Sequence, residues 1–342
     1  MAGSKELMGG PPRLHRRWKA ALPDNAVAFA WSPDARRLAA ALASGPVLVF
    51  DIASGKPALE LAGHGFGTMA VSWKPDGTRL ATAGQDGKAR LWDAATGKEL
   101  AALDAGAPWA EHAAWHPSEP LLATAAGKRL RLWSADGELR RDWPHPSTIS
   151  ALAWRPGTGE PTTGFYGGVR VWALDRDEPA AQAEWKGAVA SLAWKRDGSR
   201  LAHGDQGGTM HLWTPATGDH LEMAGYPRTV RNVSWDASGT YLATDGSEFV
   251  LVWDCKPPGP EKTEPLQLKA HAGAVTAAAW HPRHSLLVSG GEDGKVHLWQ
   301  PLRYRKPLAT SDLGGAVLLA WEPLGQLLAA SNDAGSLVVY SM

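Results

Sequence analysis

Two sets of residues in this 342-residue chain hold the hydroxyl, imidazole and carboxylate of a nucleophilic relay. One is His64, Thr82 and Asp86; the other is His271, Ser289 and Asp293. In both, the hydroxyl lies 18 residues after the His, the Asp 22 after, and a tryptophan (Trp92 or Trp299) 28 after. In a hydrolase such a set makes the hydroxyl a nucleophile, with the imidazole as base and the carboxylate orienting it. A catalytic centre needs one set, and the same spacing in two distant places points to a structural network instead. There the imidazole bonds the carboxylate and the hydroxyl, the hydroxyl meets the indole N–H, and buried polar groups from three strands satisfy one another.

The other chemistry-bearing patterns are weaker. His112 and His116 have the spacing of two metal ligands on a helix, but their stretch, Glu111 to His116, alternates as a strand does. Four residues of strand separate the two rings by roughly 13 Å, too far for one zinc ion. The other histidines are scattered singly, so no metal and no cofactor is expected. Lone G-x-G patterns have no helix after them to complete a phosphate loop. The basic runs Arg13 to Lys19 and Arg303 to Lys306 read as a solvated edge and a loop. With 35 basic and 35 acidic residues the formal charge is zero, which gives no field favouring nucleic acid or an anionic membrane.

The elements that must position these residues follow an aromatic rhythm. Tryptophans that close short alternating runs stand at 31, 73, 115, 154, 194, 235, 280 and 321, spaced 39 to 45 apart. A second aromatic follows each after 18 or 19 residues: Phe50, Trp92, Trp133, Trp172, Trp213, Trp253, Trp299 and Tyr340. Period-two alternation and turn residues divide each repeat into four strands. In the second repeat these are Met69 to Trp73, Arg79 to Ala83, Lys88 to Asp93 and Lys98 to Leu103, with turns at Pro75-Asp76-Gly77, Asp86-Gly87 and Thr96-Gly97. The eighth repeat stops after its third strand, and residues His15 to Ala20 precede the first as an otherwise orphan strand. Pairing the two closes a ring and removes an open edge.

Gly63-His64, the Asp-Gly turns at Asp86 and Asp293, and the Trp-Asp ends at Trp92 and Trp253 resemble the WD-repeat β-propeller family. The resemblance runs from about residue 13 to the C-terminus. It implies an all-β propeller of eight four-stranded antiparallel blades, with seven as the alternative and the N-terminal strand closing the last blade. Residues 1–12 are then a flexible tail and 13–342 one propeller domain. The insertion from Cys255 to Pro265 falls between the third and fourth strands of the sixth blade as a solvated loop. Six repeats depart from the family pattern. Nine before their first-strand tryptophan they carry Leu22, Gly106, His145, Trp185, Tyr226 and Asp312, so packing is expected to hold them in place of polar networks.

For function the resemblance implies a non-catalytic protein–protein interaction scaffold whose channel-mouth face takes a protein or peptide. The alternative is a hydrolase-like propeller enzyme with its site at the same mouth. Contact positions in such rings lie four and six before the first-strand aromatic and just before the turn Asp. Carried over, they give Met69, Trp109, Glu111, Arg231, Gln85 and Glu292, with Phe165 in the fourth repeat. The first-strand positions hold one carboxylate, one arginine and no histidine, whereas hydrolysis asks for paired acids or clustered ligands. The expectation is therefore no catalysis, no nucleic acid and no membrane, with a monomeric propeller working inside a larger complex. A single cysteine, Cys255, an N-terminus without an apolar signal run and no stretch of eighteen apolar residues lead to a cytoplasmic expectation.

Overall fold

Alternating runs broken by Pro or Gly turns fold as antiparallel hairpins, and the second repeat shows the unit from which the molecule is built. Its strands Thr68–Trp73, Arg79–Gly84, Lys88–Asp93 and Glu99–Asp104 pair in chain order. Gly77, Gly87 and Gly97 make the three turns at φ near 70°, in the left-handed region that a side chain would oppose. The computed structural model describes residues 12–256, 259–261, 263–315 and 317–342; the expected tail therefore lies, all but Pro12, outside the described residues, as do 257, 258 and 262 of the insertion. Every regular element among the described residues is a strand.

The strands form seven hydrogen-bonded sheets, six of four strands and one of six. The number of separate sheets is thus the seven of the alternative, not eight, and the six-stranded sheet carries two of the eight aromatic beats. Its origin is local. Pro179–Trp194 runs as one strand, pairing through Pro179 to Ala188 with the fourth repeat and through Val189 to Trp194 with the fifth. The equivalent joint before the second repeat is Gly63-His64-Gly65-Phe66-Gly67, which bends; Trp185-Lys186-Gly187-Ala188 has one glycine and stays extended.

Closure uses both chain ends. His15–Ala21 pairs antiparallel with Ser336–Ser341, His15 opposite Ser341 and Ala21 opposite Ser336. Trp18 then reaches the first repeat, stacking on Phe50 at 5.9 Å and donating its indole N–H to the Ile52 carbonyl at 3.0 Å. Around the ring, neighbouring sheets bury Leu, Val, Ala and Trp between them, as in the cluster that joins Leu38, Leu42 and Phe50 to Leu327, Leu337 and Val339. Each large apolar side chain fully withdrawn from water adds about 1.5–3 kcal/mol.

The first-strand tryptophans also lock each sheet to the one before. Trp31, Trp73, Trp154, Trp235 and Trp321 donate to the carbonyls of Ala320, Ala30, Ala114, Ala193 and Ala279, at 2.9–3.2 Å. Each acceptor is the alanine just before the preceding repeat's tryptophan. Where that residue is Ser72 or Ser234, its hydroxyl instead accepts the backbone N–H of Trp115 or Trp280 at 3.0 Å. Those two indole nitrogens then have no partner among the described residues.

Candidate functional site

Both relay sets assemble, each inside one sheet. Asp86 can only accept, so His64 donates its Nδ1–H to Asp86 (2.8 Å), and the Thr82 hydroxyl donates to His64 Nε2 (2.7 Å) while accepting the Trp92 indole N–H (2.9 Å). In the second set His271 meets Asp293 at 2.9 Å and Ser289 at 2.8 Å, and Trp299 donates to Ser289 at 2.8 Å. Gly291 permits the close approach, because a Cβ there would stand 2.6 Å from the His271 Nδ1. Burial pushes the His64 pKa down against the pull of Asp86. Asp86 would be raised by its own burial, but the Arg90 and His64 hydrogen bonds bring it below the usual carboxylate range.

Packing does not replace the network in all six divergent repeats. Tyr226 takes the place of the imidazole: its hydroxyl bonds Thr244 at 2.8 Å and accepts the Trp253 indole N–H at 2.8 Å. His145 keeps the bond to Thr163 at 2.8 Å, with Trp172 donating to the same hydroxyl at 3.2 Å. Tyr226→Phe preserves volume but removes the link between a buried hydroxyl and a buried indole. Its expected cost is about 1–3 kcal/mol, read as a shift of the urea midpoint at unchanged slope.

Buried histidines also set a pH dependence. Burial brings His145 and His281 down to about 4, while an unfolded histidine titrates near 6.5. Between these values the unfolded chain binds protons that the folded chain refuses. Stability is therefore full above pH 6.5 and falls as pH drops toward 4, at up to about 1.4 kcal/mol per pH unit per histidine. Urea unfolding at pH 7.5 and 5.5 should show the decline, and the double variant His145→Gln, His281→Gln should show a shallower one.

The residues expected to contact a partner divide by repeat. Trp109 is 56% exposed, Met69 lies at the surface on the preceding repeat, and Gln85 donates its amide N–H to the Met69 sulfur at 3.6 Å. Glu111 is half-buried, with one carboxylate oxygen lacking a partner among the described residues, and burial raises its pKa. Arg231 and Glu292 line a cavity of about 510 Å³ with Arg228, Thr229, Asp245 and Thr276, and Arg228 meets Glu292 at 3.5 Å.

Phe165 is a correction. It is 4% exposed, packed edge-on against His145 at 5.4 Å under the Arg170 guanidinium, and presents nothing to a partner. Thr163 stands where Thr82 and Ser289 stand, so the position of Gln85 and Glu292 falls three residues later, on Tyr166. Tyr166 is 64% exposed. The sequence reading also missed Phe66, 87% exposed and held at φ 69°, a conformation costly for a bulky residue. The signal was present: an aromatic between two glycines in the loop that opens the second repeat.

Against known proteins, the description "WD domain, G-beta repeat" matches residues 55–93 and 262–300, the two repeats that hold the complete His–hydroxyl–Asp–Trp networks. The chain is a β-propeller whose second and seventh repeats match the WD-repeat family. It is 30% identical over 121 residues, 34% of its length and 38% of the relative's, to THO complex subunit 3 of Arabidopsis thaliana. To the intraflagellar transport protein 80 homolog of Mus musculus it is 28% identical over 162 residues, 46% of this propeller and 20% of the relative. This propeller thus spans well under half of those two proteins. Among solved structures, the computationally designed Ika8 protein superposes with a TM-score of 0.78 at 21% identity, over 94% of this chain and 98% of that one. That likeness is one of fold.

Proposed function

We propose that this propeller is a non-catalytic interaction module that holds a protein or peptide partner on its channel-mouth face. The observation that carries the reading is the set of exposed apolar side chains Phe66, Met69, Trp109 and Tyr166 on three successive repeats. They stand at or beside first-strand starts and at the residue aligned with Gln85 and Glu292, positions that in a propeller ring belong to the same face, which supports the reading. A large exposed apolar group rimmed by polar residues is what a docking surface requires, and Trp and Tyr repay desolvation best. The polar cavity of Arg231 and Glu292 occupies equivalent positions on the sixth and seventh repeats.

The relay sets support a structural role over a catalytic one. Thr82 and Ser289 are wholly buried, and each hydroxyl oxygen already accepts an indole N–H, so its lone pairs do not face a substrate. Similarity to proteins named as a THO complex subunit and an intraflagellar transport protein agrees with work inside an assembly.

The test is affinity against stability. Trp109→Ala should weaken a purified partner by about 2 kcal/mol, roughly 30-fold, while the melting temperature stays within error of wild type. Loss of stability with unchanged affinity would place the docking face elsewhere.

A further inference from the structure

The fifth repeat breaks the network rule in its own way. Where four other repeats have His or Tyr it has Trp185, and where five others have Thr or Ser it has His203. The two rings stack at 3.9 Å, and the column continues through His211, 4.5 Å from His203, to His220, 4.9 Å from His211. Strand register explains the alignment. His203 lies directly opposite His211, and His220 lies opposite Trp213, two residues along from His211, so all three imidazoles project from one face of three adjacent strands.

The nitrogens of this column are unusual. His203 is fully buried, and neither of its ring nitrogens has a hydrogen-bond partner among the described residues. A buried imidazole without a bond costs stability wherever it stands. His211 uses Nε2 toward Thr209 Oγ1 at 2.8 Å, with the Asp205 carboxylate 3.7 Å away, and its Nδ1 has no partner among the described residues. That arrangement favours the proton on Nε2 and leaves Nδ1 as a free donor of electrons. An imidazole steadied from behind by a hydroxyl and a carboxylate is how metal-ligating histidines are usually held. Glu222 faces His211 across the strand pair and supplies further negative charge. Candidate ligand atoms of the three histidines all lie within 4.8 Å of one another.

We propose that His203, His211 and His220 form a binding site for a divalent transition metal ion of the zinc type. Three neutral imidazoles with an open fourth position are a recognised zinc donor set. Ligands on a tetrahedral ion at about 2.0–2.1 Å sit roughly 3.4 Å apart, so binding turns the rings out of their stack and draws them together by roughly 1 Å. Burial lowers the pKa of all three, most strongly His203, and this keeps their lone pairs available. The second histidine cluster, His271 with Asp293 and His297, serves as an internal contrast, because both nitrogens of His271 are already committed to Asp293 and Ser289.

The experiment is titration of the chelator-stripped full chain with zinc chloride by calorimetry, together with melting curves. Expected are one equivalent of zinc per chain and a rise in melting temperature. His211→Ala and His220→Ala should each weaken binding by at least the roughly 10–100-fold that loss of an outer-shell partner costs, whereas His297→Ala should bind as wild type does. His220 is exposed and its replacement leaves the core intact, so that variant decides the matter if His211→Ala does not fold. Absence of zinc binding, or binding undiminished in His220→Ala, overturns the proposal.

Discussion

Removing residues 1–21 is expected to open the ring and cost at least about 4 kcal/mol, the scale of deleting a packed tryptophan together with its surroundings. The truncation takes away the whole strand His15–Ala21, and with it the register from His15 opposite Ser341 to Ala21 opposite Ser336. It strips the Ser336–Ser341 strand of its outer neighbour and exposes an unpaired edge prone to association. Trp18 goes too, with its stack on Phe50 and its bond to Ile52, the contacts by which the last sheet grips the first repeat. A chain starting at residue 12 keeps all of these contacts and should melt with the full-length protein. If the longer truncation also melts with the full-length protein, the N-terminal strand does not close the ring in solution.

Trp299→Ala should cost about 3–5 kcal/mol, the usual penalty for emptying a large aromatic site in a packed core. Trp299 is fully buried between the sixth and seventh repeats, against Leu287, Val275 and Leu268, and its indole N–H completes the network of Ser289, His271 and Asp293. Removing it creates a cavity and leaves the Ser289 oxygen short of a donor. Trp109→Ala, at an exposed position, should stay within about 0.5 kcal/mol of wild type. Urea denaturation of the two variants side by side measures the contrast. Similar midpoints for both would mean that the networked tryptophan bears no more of the fold than an exposed one.

Much of this architecture was legible because aromatic spacing survives where local motifs decay. The beat of tryptophans at 31, 73 and onward located every inner strand, and the orphan strand before Trp31 had only one open edge to fill. What was not legible depended on exchanges of chemistry at fixed positions. A tyrosine hydroxyl can do the bonding work of an imidazole, so Tyr226 read as a lost network when it is a remade one. The join of the fourth and fifth repeats into one sheet rests on a stretch that lacks strong turn residues, which period and spacing do not report. In the fourth repeat, Phe165 and Tyr166 are neighbours in one strand, one buried and one exposed, and a register error of one residue exchanges the buried ring for the exposed one. The histidine column was hidden because His203, His211 and His220 are 8 and 9 residues apart and meet only once three strands are laid side by side.

The measurement that bears most directly on the docking face is amide hydrogen exchange of the propeller alone and in complex with a purified partner. Protection is predicted in the segments that carry Phe66 and Met69, Trp109 and Glu111, and Tyr166, with the outer strands Lys56–Leu61 and Glu99–Asp104 unchanged. Protection confined to those outer strands, with the three segments exchanging as in the free protein, would contradict the account.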